Sequence, residues 1–175
     1  MKIVCIGDFH VPDRVEKIPG WIKKKIQEEN PDKIICTGDF TSEKTLKEVQ
    51  KWGDLIAVRG NMDWVDLPEH AVLDVGDLKI GVIHGSGIVP RGDLNQLSKY
   101  AKRMKARILV HGHTHKLDIQ EHNGVLFINP GSATGAWGGS STEGPQTFAI
   151  LELEGKELTI RKVINGSEES ERHKL

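Results

Sequence analysis

The sequence has few cysteines, no long apolar run and almost no net charge, and each of these features excludes a class of protein. Its two cysteines, Cys5 and Cys36, are too few for a disulfide framework and lack the spacing of a zinc knuckle. Both lie in apolar runs, so we expect reduced, buried thiols. The formal net charge is -1, from 24 basic and 25 acidic residues, so no overall field attracts nucleic acid or an anionic membrane.

The apolar segments are all short. None approaches the roughly 18 residues that a membrane-spanning helix needs, and the apolar run at the amino terminus is too short for a signal peptide. We therefore expect a cytoplasmic protein with no membrane segment. A chain of 175 residues fits one domain, which we place at residues 1–165. Residues 166–175 are charged and lack apolar anchors, which predicts a frayed tail.

Strands and helices are predicted to alternate in the amino-terminal part of the chain. Apolar runs typical of buried strands lie at Lys2 to Ile6, Lys33 to Thr37 and Leu55 to Val58. The two segments between them repeat apolar residues at helical spacing. This alternation predicts parallel strands, whose carboxyl ends share one edge of a sheet where ligands bind in α/β proteins.

The remainder of the chain predicts three hairpins and a further helix. The hairpins cover Ala71 to Ile83, Lys116 to Ile128 and Thr147 to Val163, and the helix covers Asp93 to Met104. Residues 131–145 are rich in glycine, serine and threonine, which predicts a long mobile loop near the same edge. That loop is either a substrate lid or a plain connector.

Side chains that bind metals follow several of these strands. The segment His111-Gly112-His113-Thr114-His115 places three histidines within five residues after an apolar run, and imidazole is a common ligand for borderline metals. Gly-Asp and Gly-Asn pairs at the other strand ends are also ordinary turn sequences. Taken together, the candidate ligands are Asp8, His10, Asp39, Asn61, His84, His113 and His115.

Seven ligands, four of them imidazoles, are too many for one tetrahedral zinc site and chemically wrong for calcium. Two adjacent transition-metal ions that share one carboxylate satisfy the count. This mixed set of ligands suits manganese, iron, zinc or nickel, and affinity order alone does not choose among these metals. We expect two divalent ions per chain, with manganese as the first candidate. Such a pair can bridge a hydroxide and clamp a phosphoryl group.

The same residues, in this order, resemble the motifs of the calcineurin-like metallophosphoesterases: Asp8-x-His10, Gly38-Asp39, Gly60-Asn61-x-Asp63, His84-Gly85 and Gly112-His113-Thr114-His115. The similarity spans residues 1–153, and the short chain with its hairpins resembles the small YfcE-type phosphodiesterases. The resemblance implies a four-layer α/β/β/α sandwich. It also implies a divalent-metal-dependent phosphodiesterase, a hydrolase with a small phosphodiester substrate. The family pattern assigns Asp8, His10 and His115 to one metal, Asn61, His84 and His113 to the other, and Asp39 to both.

A second resemblance implies a different role. Four segments resemble the phosphoesterase-fold scaffold subunits of the eukaryotic retromer complex: Cys36-Thr37-Gly38, Lys79-Ile80-Gly81, Pro90-Arg91-Gly92-Asp93 and the run from Asn129 to Ala136. Those subunits are regarded as scaffolds, with altered residues where this chain has Asp39 and Asn61. The alternative is therefore a metal-binding but non-catalytic subunit that binds a protein partner or forms a homo-oligomer.

The usual general acid is missing from the implied active site. Many larger relatives have a histidine directly after the motif asparagine, where this chain has Met62. His111 is the candidate replacement, or else it supports a metal ligand. We expect Asn61 to stabilise charge on the phosphoryl oxygens as well as to bind metal. Asp63 is expected to orient a ligand histidine.

Basic side chains gather in two places. The predicted helix from Asp93 to Met104 has a basic far side, which we interpret as solvated cations at a helix C-terminus and not as a nucleic-acid contact. Arg14 and Arg91 lie in loops at the ligand edge. They are candidates for binding phosphate, with ordinary surface arginines as the alternative.

Overall fold

The structure is a computed structural model that describes residues 1–139 and 142–175. The described helices are α1 Gly20–Glu29, α2 Glu43–Gln50 and α3 Leu94–Met104. The described strands are β1 Lys2–Ile6, β2 Lys33–Cys36, β3 Leu55–Ala57, β4 His70–Val75, β5 Leu78–Ile83, β6 Ile108–Val110, β7 Leu117–His122, β8 Val125–Pro130, β9 Thr147–Glu154, β10 Glu157–Ile164 and β11 Ser167–Lys174.

Side-chain caps determine where two of the helices begin. Ser42 Oγ accepts a hydrogen bond from the Thr45 amide at 3.2 Å at the start of α2. Asp93 does the same for the Gln96 amide at 2.8 Å at the start of α3. Each cap satisfies an amide that has no partner within the helix. The helix predicted to begin near Asp93 is confirmed.

The strands form two sheets, and each contains a parallel set. The first has the order β11-β10-β9-β1-β2-β3, with β1, β2 and β3 parallel as predicted. The second has the order β4-β5-β6-β8-β7, with β5, β6 and β8 parallel. The hairpin predictions are confirmed by the antiparallel pairs β4 with β5, β7 with β8, and β9 with β10.

Three apolar clusters separate four layers. The outer face of the first sheet packs on α1 and α2 through residues such as Ile22, Ile26 and Val49. Side chains of both sheets, including Ile3 and Val110, fill the space between them. The outer face of the second sheet packs on α3. Each fully buried aliphatic side chain stabilises the fold by about 1.5–3 kcal/mol. The predicted α/β/β/α sandwich is confirmed.

The prediction of a frayed tail at residues 166–175 is wrong. Strand β11 pairs antiparallel with β10 from Ser167 to Lys174, and Leu175 packs against the cluster between the sheets. Charged residues reach across the pair, as in the ion pair between Arg161 and Glu168 at 2.8 Å. An edge strand is largely solvated and carries charges that protect it from unwanted pairing. Its composition therefore resembles that of a disordered tail.

The segment predicted to be a mobile loop is partly buried instead. Residues 131–136 are all buried, because Ser132 Oγ donates to the Asp8 carbonyl at 2.8 Å and Thr134 Oγ1 to the Phe9 carbonyl at 2.7 Å. Small side chains allow this approach: a Cβ on Gly131 would lie 2.1 Å from Thr147 Oγ1. Ser140 and Ser141, which belong to the same predicted loop, lie outside the described residues. No helix in the described part of the chain is long and apolar enough to cross a membrane.

Candidate metal centre

The seven candidate ligands come together because each follows a parallel strand. Asp8 and His10 follow β1, Asp39 follows β2 and Asn61 follows β3. His84 follows β5, and His113 and His115 follow β6. The parallel strands of the two sheets end at one rim of the sandwich, and the loops cross between the sheets there. One such link is the hydrogen bond from the His113 amide to Asp8 Oδ2 at 3.0 Å.

The ligand atoms form two groups that share one carboxylate. Asp8, His10, Asp39 and His115 make the first group, and Asp39, His84 and His113 make the second. Within each group the ligand atoms all lie within 4.8 Å of one another. Asn61 joins the second group, since its Oδ1 lies 2.9 Å from His84 Nε2. We call these the first and second ligand groups.

Backbone carbonyls fix the tautomers of two ligand histidines. His84 Nδ1 donates to the Thr37 carbonyl at 2.8 Å, and His115 Nδ1 donates to the Ala136 carbonyl at 2.7 Å. A carbonyl only accepts, so both protons lie on Nδ1 when the rings are neutral. The Nε2 lone pairs are then free and directed into the ligand groups, which is the usual arrangement of metal-binding histidines.

The donor atoms of the two ligand groups fit divalent metal ions. His10 Nε2 lies 3.1 Å from His115 Nε2 and 3.2 Å from Asp39 Oδ2. His10 Nδ1 is buried and has no hydrogen-bond partner among the described residues. Ring nitrogens and carboxylate oxygens that converge in a buried space are the donor set that borderline divalent ions prefer.

Comparison with known proteins agrees with this geometry. The model of the calcineurin-like phosphoesterase superfamily domain matches residues 1–156. The chain belongs to this superfamily. It is 40% identical over 134 residues to a probable metallophosphoesterase of Methanocaldococcus jannaschii, covering 77% of this chain and 69% of that protein.

Solved structures of this phosphoesterase superfamily are similar over almost the whole chain. Vps29 of Entamoeba histolytica in complex with zinc has a TM-score of 0.88 and 35% identity, covering 99% of both chains. A novel archaeal phosphodiesterase has a TM-score of 0.71 and 27% identity, covering 94% of this chain and 99% of that one. The resemblances to small phosphodiesterases and to the retromer subunit are both confirmed.

Charge among the ligand residues is distributed unevenly. Burial raises the pKa of Asp8 to about 6. Burial also acts to raise the pKa of Asp39, but hydrogen bonds from His10 and His84 outweigh it and hold that pKa far below its usual value. Although burial opposes a charged ring, the Asp39 carboxylate raises the pKa of His84 to about 9. Burial lowers the pKa of His113 and of His115 to about 4.

Five of the ligand residues have strained backbones. The φ angles of Asp8, His10, Asp39, His113 and His115 are 49°, 49°, 57°, 69° and 60°. This left-handed region costs a non-glycine residue about 1–2 kcal/mol. Such strain is typical of functional sites, where the surrounding contacts hold a conformation that the isolated chain avoids.

Asp63 supports the centre by a route other than the expected one. Among the described hydrogen bonds its carboxylate contacts no histidine. It accepts instead from the amides of Asp39 at 2.8 Å, Gly60 at 2.8 Å and Thr41 at 2.9 Å. Asp63 therefore orients the backbone that carries the shared ligand Asp39 and the glycine before Asn61.

Asn129 is a supporting residue whose role sequence reasoning missed. Its Nδ2 donates to the Gly112 carbonyl at 3.1 Å and to Thr114 Oγ1 at 2.9 Å, while its Oδ1 accepts from the Gly131 amide at 3.0 Å. Asn129 thus ties the histidine loop to the buried 131–136 segment. The run Asn129-Pro130-Gly131-Ser132 was a signal for family membership, but it contains no pattern that predicts these partners.

His111 belongs to neither ligand group and contacts Asn129. Its Nδ1 lies 3.3 Å from Asn129 Nδ2, and burial lowers its pKa to about 4. Arg14 and Arg91 flank the centre, but each donates to a backbone carbonyl, that of Trp137 at 2.6 Å and that of Gly138 at 2.8 Å. The arginines therefore hold the segment beside His115.

Proposed function

We propose that this chain is a divalent-metal-dependent phosphodiesterase that hydrolyses a small phosphodiester. The observation that carries the proposal is the pair of ligand groups that share the Asp39 carboxylate. We propose two metal ions per chain, manganese first, with zinc, nickel or iron as alternatives. We also propose a cytoplasmic location, in keeping with Cys5 and Cys36, which are both buried and free.

Each ligand group would hold one ion, and Asp39 would bind both. When bound, two such ions supply a hydroxide nucleophile and stabilise charge on the phosphoryl oxygens. The chain itself contributes a rigid frame. Thr37 and Ala136 fix the rings of His84 and His115, and the His113 amide donates to Asp8 Oδ2 at 3.0 Å.

Asn61 has a second role in the proposal. It is exposed, whereas Asp8, His10, Asp39 and His84 are buried. It also borders a cavity of about 290 Å³ together with His84. Its side-chain amide can therefore reach a phosphoryl oxygen while its Oδ1 stays with the second ligand group. This donor would stabilise the charge that develops in the transition state.

For His111 we propose a supporting role in preference to that of general acid. A group with a pKa near 4 is neutral at neutral pH and holds no proton that it readily gives to a leaving oxygen. Its contact with Asn129 connects it to the loop that carries His113 and His115. Replacing His111 with alanine should lower turnover by the same factor for good and poor leaving groups.

The test is hydrolysis of bis(p-nitrophenyl) phosphate by metal-stripped protein, with and without added manganese. Turnover should require the metal and should be abolished in Asp39→Ala. The matched control is Asp74→Ala, because Asp74 is an exposed strand residue paired with Lys79 at the end of the β4–β5 hairpin away from His84. If metal-loaded wild-type protein hydrolyses no diester or monoester in a broad panel, the phosphodiesterase proposal fails.

The second candidate function is a metal-binding scaffold that binds a protein partner or a second copy of the chain. The similarity to Vps29 favours it, since 99% of both chains align. A scaffold would keep its partner binding in His84→Ala and His113→Ala, whereas an enzyme would lose turnover in both. Size-exclusion chromatography with light scattering tests the homo-oligomer.

A further inference from the structure

Two cavities border the two ligand groups. One of about 800 Å³ is lined in part by His115 of the first group, and one of about 290 Å³ is lined by Asn61 and His84 of the second. The lining residues of the two cavities do not overlap. The larger volume lies within the range of small-molecule sites, about 300–1,000 Å³. Since a phosphodiester has two ester arms, the structure offers separate spaces of unequal size for them.

Trp137 forms part of the wall of the larger cavity. It is 42% exposed, although the five residues before it are all buried. The exposed part of the indole is an apolar surface beside the first ligand group. Aromatic side chains in such positions commonly contact ligands, because they offer a wide rigid surface and lose little conformational entropy on binding.

The backbone around Trp137 is held firmly against the centre. Its neighbour Ala136 accepts from His115 Nδ1, Arg14 donates to the Trp137 carbonyl, and Arg91 donates to the Gly138 carbonyl. Gly138 lies directly on the His115 ring, since a Cβ there would be 2.7 Å from His115 Cγ. Trp137 is therefore positioned before any ligand arrives, which reduces the entropy lost on binding.

The surroundings of the indole favour a flat, uncharged partner. The Arg14 guanidinium lies 4.2 Å from the centre of the Trp137 ring and covers one face. The cavity lining contains two lysines and two glutamates, so it has no charge excess that would select a charged arm. Leu117, Pro145 and Ile164 add apolar surface.

We propose that the larger cavity binds the bulkier ester arm of the substrate, and that this arm carries a planar heteroaromatic ring such as a nucleobase. The ring stacks on the face of Trp137 opposite Arg14 while the phosphate lies at the ligand groups. The smaller cavity at Asn61 and His84 receives the other arm. This inference rests on the proposed phosphodiesterase function and specifies its substrate class.

The test uses two diesters with the same leaving group, thymidine 5′-(p-nitrophenyl phosphate) and methyl p-nitrophenyl phosphate. With manganese-loaded wild-type protein, kcat/KM for the thymidine ester should be about 10- to 100-fold higher, as expected for one base stacked on an aromatic side chain. Trp137→Ala should abolish this preference, and Trp137→Phe should keep most of it. Trp64→Ala is the control, because Trp64 is 93% exposed and does not line this cavity.

A binding measurement separates this inference from the proposed function. Calorimetry should show that thymidine 5′-monophosphate binds manganese-loaded wild-type protein at least about 10-fold more tightly than inorganic phosphate, with no such difference in Trp137→Ala. Equal kcat/KM values for the two diesters in wild-type protein, or an unchanged preference in Trp137→Ala, would overturn the inference alone. If neither diester is hydrolysed, the proposed function fails, and the calorimetric comparison then decides whether the cavity binds a base.

Discussion

The Nε2 atoms of His10 and His115 face each other across 3.1 Å, although the two residues lie in loops that follow strands of different sheets. His115 already has its proton on Nδ1, because that atom donates to the Ala136 carbonyl. Two ring nitrogens at this distance need a proton or a cation between their lone pairs. With Asp8 and Asp39 beside them, the donors match a divalent metal.

Metal content should depend on Asp39 more than on any other ligand. We expect about two divalent ions per chain in wild-type protein and about one in His115→Ala. The metal content of Asp39→Ala should be lower than that of His115→Ala, because the Asp39 carboxylate belongs to both ligand groups. Elemental analysis after dialysis against metal-loaded buffer measures this. Asp39→Ala with an undiminished metal content would contradict the shared-carboxylate arrangement.

Removal of the Asp63 carboxylate should weaken the fold and the centre together. Asp63→Ala leaves the amides of Asp39, Gly60 and Thr41 without their acceptor. We expect the free energy of unfolding to fall by about 3 kcal/mol and metal affinity to fall as well. Urea unfolding and calorimetric metal titration test the two effects. Asp66→Ala, an exposed residue of the same loop, should change neither.

Glu29 should stabilise the fold in a pH-dependent way. Arg161 lies 2.9 Å from its Oε1, and Lys2 lies 2.9 Å from its Oε2. The Arg161 hydrogen bonds, opposed by burial, hold the pKa of Glu29 far below its usual value of 4.5. Because the folded pKa is depressed, this stabilisation is complete above about pH 4.5 and decreases as the pH falls below it.

Glu29→Gln should therefore lower the free energy of unfolding by about 2 kcal/mol at neutral pH, and the difference from wild type should shrink below pH 4.5. Urea unfolding at pH 7 and pH 3 measures it. Glu28→Gln is the matched control, since Glu28 is exposed and lies 3.8 Å from Lys24, where a pair contributes about 0.5 kcal/mol or less. A difference that is the same at both pH values would show that the charge of Glu29 is not what stabilises the fold.

Met62 should make the hydrolysis rate depend steeply on the leaving group. It occupies the position that follows Asn61, and its amide donates to Asp39 Oδ1 at 2.9 Å, but its side chain has no proton to give. Alkyl esters should therefore react about 10²- to 10⁴-fold more slowly than nitrophenyl esters. Met62→His should recover part of this factor. A flat dependence, with chemistry shown to be rate-limiting, would reveal an acid elsewhere in the site.

The sequence was sufficient for the features that depend on local patterns. Ile22 and Ile26 at helical spacing marked the buried face of α1. Short apolar runs followed by Asp8, Asp39 and His84 marked strands with ligands at their ends, and parallel pairing then brought those ends to one rim.

The features that were not predicted depend on partners far apart in the chain. Ser132 donates to the Asp8 carbonyl across 124 positions, and nothing in the local sequence indicates that bond. Strand β11 resembled a solvated tail, because its stability comes from backbone pairing with β10 and from ion pairs between the two strands, such as Lys162 of β10 with Glu171 of β11. Asp63 was expected to contact a ring, but the three amides around it are gathered only by the folded loop.

The left-handed backbone conformation of five ligand residues should affect how these positions change among related proteins. A protein that no longer used its metal would relieve backbone strain by placing glycine at Asp8, His10, Asp39, His113 or His115, since glycine has no Cβ and adopts positive φ without that penalty. Neutral drift in such a lineage should therefore erode these positions early. Relatives that keep bulky ligands there despite the strain are the ones in which bound metal should be sought first.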